Sequence, residues 1–272
     1  MPHGHIHSET MKKINLTIIL SALMIIGICG CKKKKNDIPP ESTAPMGTFM
    51  LHLHTNLDQN EVERYDTAYT TGSGRKILLS MAQMYISGIQ LVKLDGTTID
   101  FTGIKILKTL DEEVYSVGSA PVGNYKSIRF KVGLDASTNQ EASNTPADSS
   151  LLNKPQMWFG ASAQPDGYVF MNVQGKIDTS SNANGTLAQM QSFIYKIGTN
   201  ANYKQITMPD KNFSIVENQV AYGHITIDYS KIFTGLKLNQ AAYLSVATAS
   251  ANAVSPATVI VSNMSSMFIY EE

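Results

Sequence analysis

The chain has 272 residues, 22 of them basic and 22 acidic, so its formal net charge is zero. That balance excludes the concentrated basic face that a phosphate backbone requires, and with it nucleic acid as a partner. Two cysteines in the whole chain exclude a disulfide-stapled scaffold, while the length suffices for one domain that buries a substantial core.

Residues 1–10, MPHGHIHSET, hold three of the six histidines and precede a natural-looking start at Met11. An alternating histidine tract can bind metal, but this one reads as an upstream extension that leaves with the segment after it. From Met11-Lys12-Lys13 the chain runs through an apolar stretch to Gly30 and ends it at Cys31, ahead of four lysines. A basic start, a short apolar run and small residues before a break point are the layout of an export signal. Ile28-Cys29-Gly30-Cys31 resembles the lipobox of bacterial lipoproteins, which implies a signal over 11–31 and acylation of Cys31. Several acyl chains on one residue would hold the protein firmly to a bilayer. Lys32 after the anchor, in place of the aspartate that marks inner-membrane retention, resembles the outer-membrane pattern. Residues 32–46, with Pro39, Pro40 and Pro45, read as an extended tether whose lysines can touch anionic head groups.

The domain expected over 47–272 carries 16 basic and 19 acidic side chains once signal and tether are set aside. Its first element, GTFMLHLHTNL, alternates: Phe49, Leu51 and Leu53 fall on one face, Met50, His52 and His54 on the other, which predicts a strand. Tyr85 to Leu94 and Thr97 to Phe101 flank Asp95-Gly96 and should form a hairpin. EEVYSV, NYKSIRFKVGL, GYVFMNVQGKI, SFIYKIG, YKQITM, NFSIVE, VAYGHITIDY and AAYLSVAT repeat the period of two, with turn residues between them. The spacing predicts a mainly β fold, an antiparallel β-sandwich of short strands. Two segments differ. Residues 135–156 are long and polar, as functional or mobile loops are. Near the end, Ile260, Met264, Met267 and Phe268 fall at helical spacings after Ser255-Pro256, which predicts a C-terminal helix.

MYISGIQLVKLDG (84–96), PVGNYKSIRFKVGLD (121–135), MWFGASAQPDGYVFMNVQGKI (157–177), FIYKIG (193–198) and VIVSNMSSMF (259–268), in this order, resemble the MbnP-like family of exported bacterial proteins and lipoproteins, named after a partner of the copper chelator methanobactin. The resemblance covers most of 47–272 and implies metal binding, copper first, through histidine nitrogens, with an oxidised tryptophan, kynurenine, in the site of some members. Two positions depart from the family pattern. Lys196-Ile197-Gly198 stands where members commonly have a histidine before the glycine, and ASANAVSPAT lacks the His-x-Met type stretch.

The domain's own histidines are His52, His54 and His224, and imidazole suits copper well. His52 and His54 share one face of a strand, and a ligand from another strand would complete a mononuclear site. His224 lies in a strand of its own. Trp158 is the single tryptophan; on statistics it fills a core, and by resemblance it is adjacent to the metal site. Asp111-Glu112-Glu113 reads as a solvated charge run in a turn.

No Gly-x-Ser-x-Gly elbow, zinc-protease motif, phosphate-cradling loop or nucleophilic cysteine occurs in the domain, so an enzyme is not expected. The expected function is therefore a membrane-anchored, metal-binding lipoprotein of the outer membrane. The alternative is a non-catalytic sandwich that contacts an envelope protein or a glycan through its long loop, the metal site lost.

Overall fold

Every second side chain of the first strand is buried, and the same alternation recurs along the chain. A computed structural model describes residues 44–140, 147, 149–160, 167–248 and 255–271; the expected export segment, Cys31 and the expected tether up to residue 43 lie outside them. In chain order the strands are β1 (Met46–Leu57), β2 (Asn60–Glu61), β3 (Ala68–Thr70), β4 (Lys76–Lys93), β5 (Thr98–Asp100), β6 (Lys105–Lys108), β7 (Val114–Pro121) and β8 (Gly123–Val132), followed by a short helix, α1 (Ala136–Asn139). After it come β9 (Val169–Asp178), β10 (Met190–Gly198), β11 (Lys204–Thr207), β12 (Phe213–Ile215), β13 (Val220–Asp228), β14 (Ser245–Ala247), helix α2 (Ser255–Asn263) and β15 (Phe268–Tyr270).

The strands form two sheets. The five-stranded one runs β15-β13-β1-β2, with β7 beside the first half of β1; the ten-stranded one runs β11-β8-β4-β9-β10-β14, with β12 on β8 and β3, β5 and β6 on β4. Phe49, Leu51 and Leu53 of the small sheet share one core with Ile86, Ile128 and Val173 of the large one. Phe130 meets Phe268 edge to face across the layers, ring centroids 4.9 Å apart. Each fully buried aliphatic or aromatic side chain contributes roughly 1.5–3 kcal/mol, which is what holds the layers together.

Most pairings are antiparallel, as expected, but the sheets are mixed. β1 pairs parallel with β13 and β10 pairs parallel with β14. Parallel neighbours cannot be joined by a tight turn. Between β1 and β13 the chain builds most of the other sheet, so no local signal announces that pairing. Nor are all strands short: β4 has 18 residues and pairs along its length with β3, β9, β6, β8 and β5. Irregularities at Leu79/Met81 and Ser87/Gln90, the second at Gly88 with φ 56°, bend it enough to serve both neighbours.

The predicted hairpin forms, with Leu91 opposite Ile99 and Gly96 at φ 89°. Asp95 fixes the turn by accepting from the Thr97 N–H and hydroxyl. The terminal helix is also present, but α2 stops at Asn263. Met264–Ser266 makes one 3-10 turn, and Phe268, predicted as helical, opens β15 instead. Of the polar 135–156 segment, residues 141–146 and 148 are outside the described set.

Candidate metal centre

On β1 the side chains of Met50, His52 and His54 leave the core and face solvent. His52 and His54 are next neighbours on that face, ring centroids 4.2 Å apart. The parallel register with β13 sets His224 directly beside His52. Their Nδ1 atoms are 3.1 Å apart, and the rings 5.0 Å. Gly223 suits this close packing: a Cβ there would stand 2.7 Å from Ile128 Cδ1 and 3.0 Å from Phe49 Cζ, so the core side chains beneath β13 would have to shift for any larger residue.

Three carboxylates close round the imidazoles, each brought by a different element. The antiparallel pairing of β7 places Val114 opposite His52, so Glu113, one residue earlier, reaches both histidines. Its Oε2 is 3.6 Å from His52 Nε2 and its Oε1 3.8 Å from His54 Nδ1. Glu61 on β2 reaches His54 Nδ1 at 2.7 Å. Glu271, just after β15, spans His54 Nε2 at 3.2 Å and His224 Nδ1 at 3.7 Å.

The turn that delivers Glu113 is fixed from below. Lys108 is fully buried, and its ammonium donates to the carbonyls of Thr109 (2.6 Å) and Glu112 (3.0 Å). Burial pushes the amine down to about 8, against the pull of the Glu113, Glu112 and Asp111 charges. The Tyr115 hydroxyl donates to the Glu112 carbonyl at 2.6 Å and accepts from the Thr109 N–H, and the Leu53 N–H holds the Glu113 carbonyl at 2.8 Å.

His52, His54 and Glu113 each offer one ligand atom, all within 4.8 Å of one another. Two nitrogens bound to one tetrahedral metal at about 2.0–2.1 Å stand roughly 3.3 Å apart, so the 3.1 Å between His52 and His224 is also a ligand-like spacing. Imidazole nitrogens with a carboxylate suit copper(II) or zinc. Glu271 meets His54 Nε2, opposite the Nδ1 that faces Glu113, as a carboxylate that orients a metal-bound histidine does. Side-chain exposures of 24% for His52, 19% for His54 and 48% for His224 leave the cluster half-buried and open on one side.

The structure thus brings together the three histidines that the sequence singled out. Trp158 stands elsewhere. It packs with Tyr85, Leu134, Leu152, Met157, Tyr168 and Phe170 in a second cluster on the ten-stranded sheet, and its Nε1 donates to the Leu152 carbonyl at 3.1 Å. Cys31 is outside the described residues. Glu61, Glu113 and Glu271 were not foreseen. Glu113 looked like part of a solvated acidic turn, and only the β1–β7 register turns it toward the histidines.

A family model described as MbnP matches residues 46–251. The chain belongs to the MbnP family. Among solved structures, MbnP from Methylosinus trichosporium is similar at 15% identity, with 71% of this chain and 80% of that chain covered and a TM-score of 0.47. No curated protein matches the chain. Within this MbnP domain, the family block at 193–198 sits in β10, where Gly198 donates to the Thr248 hydroxyl at 2.7 Å. The histidine cluster lies on the other sheet, on β1 and β13.

Proposed function

We propose that this protein is a lipid-anchored component of the bacterial cell envelope, held at the outer membrane through acylated Cys31, that binds a metal ion by His52, His54 and Glu113 with His224 at hand. The observation that carries the reading is the convergence of nitrogen and carboxylate atoms from β1 and the turn before β7 within 4.8 Å. Copper is the first candidate, because the family resemblance implies copper held by histidine nitrogens and this donor set suits copper(II). Bound there, the ion would be held by the chain's own residues, with Glu271 orienting His54 from its other nitrogen, on a face open to solvent. The protein acts by binding, and no catalytic constellation is assigned to it.

Titration of the intact chain with copper and with zinc, followed by mass spectrometry of the metal content, tests the reading. One ion per chain should bind in the wild type beyond what His52→Ala/His54→Ala retains. Equal stoichiometry in the two proteins would remove these histidines from the site. Release of the protein from membranes by Cys31→Ser tests the anchor separately.

A further inference from the structure

Beside the histidines a cleft of about 410 Å³ opens between the 211–213 segment, β13 and β15. Its walls are preset. Phe213 is stacked on Tyr125 at 5.5 Å and on Phe49 at 5.9 Å, so its ring cannot turn away. The Tyr270 hydroxyl accepts the Ile128 N–H at 3.2 Å, which fixes the second ring. Tyr222, 45% exposed, forms the outer lip, and His224 closes the end nearest the carboxylates, its ring 5.7 Å from that of Tyr222.

The cleft also holds a cation. Lys211 Nζ lies 5.5 Å from the Tyr270 ring centre and donates to the Glu271 carbonyl. Among the described residues, the lysine ion pairs are those of Lys126 with Asp210 and Lys231 with Asp228; Lys211 has none. Glu271 lines the same cleft, but its two oxygens face His54 and His224, which leaves the ammonium to a guest.

We propose that this cleft binds a small aromatic carboxylate, its ring among Phe213, Tyr222 and Tyr270 and its carboxylate on the Lys211 ammonium and the His224 imidazole. Three aromatic walls favour a flat ring, which gains by stacking beyond the area it buries. One ammonium on the apolar rim sets the sign of the guest's charge. Pockets of about 300–1,000 Å³ with a few convergent polar groups are the usual size for small molecules, and this one is at the lower end, suited to a single substituted ring. The proposal goes beyond the metal reading and stands without it, since it rests on the rings of Phe213, Tyr222 and Tyr270 and on Lys211, none of which is a metal ligand.

The test is calorimetric titration of the intact, chelator-treated chain with 4-hydroxybenzoate, which does not chelate metals strongly, alongside cyclohexanecarboxylate. Saturable binding of the aromatic acid is expected, with the aliphatic acid weaker. Lys211→Met or Tyr222→Ala, both at exposed positions, should each weaken it about ten-fold, the size of a lost charge-assisted hydrogen bond or a lost stacking wall. No saturable binding, or equal affinity in wild type, Lys211→Met and Tyr222→Ala, would overturn the proposal. Hydroxybenzoate binding with no bound metal would remove the metal reading alone; the reverse result would remove only this one.

Discussion

On the five-stranded sheet, Met50, His52 and His54 leave the core and meet solvent, whereas on the ten-stranded sheet Tyr85, Tyr168 and Phe170 leave the main core and are covered a second time by Leu152, Met157 and Trp158. The twice-covered region satisfies its polar atoms internally. Tyr85 donates to the Leu151 carbonyl at 3.0 Å, Trp158 to Leu152, and the Asn139 side-chain oxygen accepts the Tyr168 N–H at 2.9 Å. The once-covered face instead collects groups whose second valences point outward, three imidazoles and three carboxylates from five elements. A sheet buried on both faces spends its hydrogen bonds on itself, and a sheet buried on one has ligand atoms to offer.

The largest effect expected from breaking that contrast is at Trp158. Trp158→Ala removes a side chain that is 6% exposed and leaves the Leu152 carbonyl without its donor, which should cost about 3–5 kcal/mol of stability. Urea denaturation measures the loss. Metal bound per folded molecule should not change; if it falls while the fold persists, Trp158 belongs to the site as the family resemblance implies, and the two regions are coupled.

Lys108 sharpens the comparison from beneath the metal face. Its buried amine is pushed down to about 8 from an ordinary value of 10.5, so between these pH values the unfolded chain binds more protons than the folded one. Stability should therefore rise as pH climbs through that window, by on the order of 3 kcal/mol from this group alone. Lys108→Met should flatten that limb of the profile in urea midpoints taken from pH 7.5 to 10.5. A wild-type curve that falls across the window instead would mean the amine is held charged in the fold.

What could be read from residue order follows from the same contrast. A period of two is local, so β1, β13 and the hairpin at Asp95-Gly96 were visible, and so was the solvent side of His52 and His54. Register is not local. Nothing near His224 says that β13 will lie parallel to β1 and one strand away, and nothing near Glu113 or Glu271 says which histidine each will face. Met267 and Phe268 misled for a related reason: their helical spacing also suits residues that a 3-10 turn and a short strand bury against the other sheet. Trp158 was read correctly by packing statistics, as a residue of a core, while its placement beside the metal came from resemblance and finds no contact in the described structure.

The smallest effect concerns the one strongly perturbed carboxylate beside the twice-covered region. Asp135 caps α1. Burial alone would raise its carboxyl, but the Ser137 hydroxyl, the Thr138 N–H and hydroxyl, and the Lys105 charge together hold it down to about 2. Because its folded value is depressed, the cap contributes stability that is present above the ordinary carboxylate range and is lost as pH falls toward 2. Asp135→Ala should cost about 1 kcal/mol at neutral pH, the usual worth of an N-cap on a helix, and should lack the share of the acid loss that comes from this carboxyl. Comparing thermal midpoints of variant and wild type between pH 5 and pH 2 separates the outcomes. Curves that converge at low pH place the acid sensitivity of this region in the cap. Curves that stay parallel would mean that the Asp135 carboxyl is not held down by its cap contacts, and the twice-covered region would then owe α1 to packing rather than to charge.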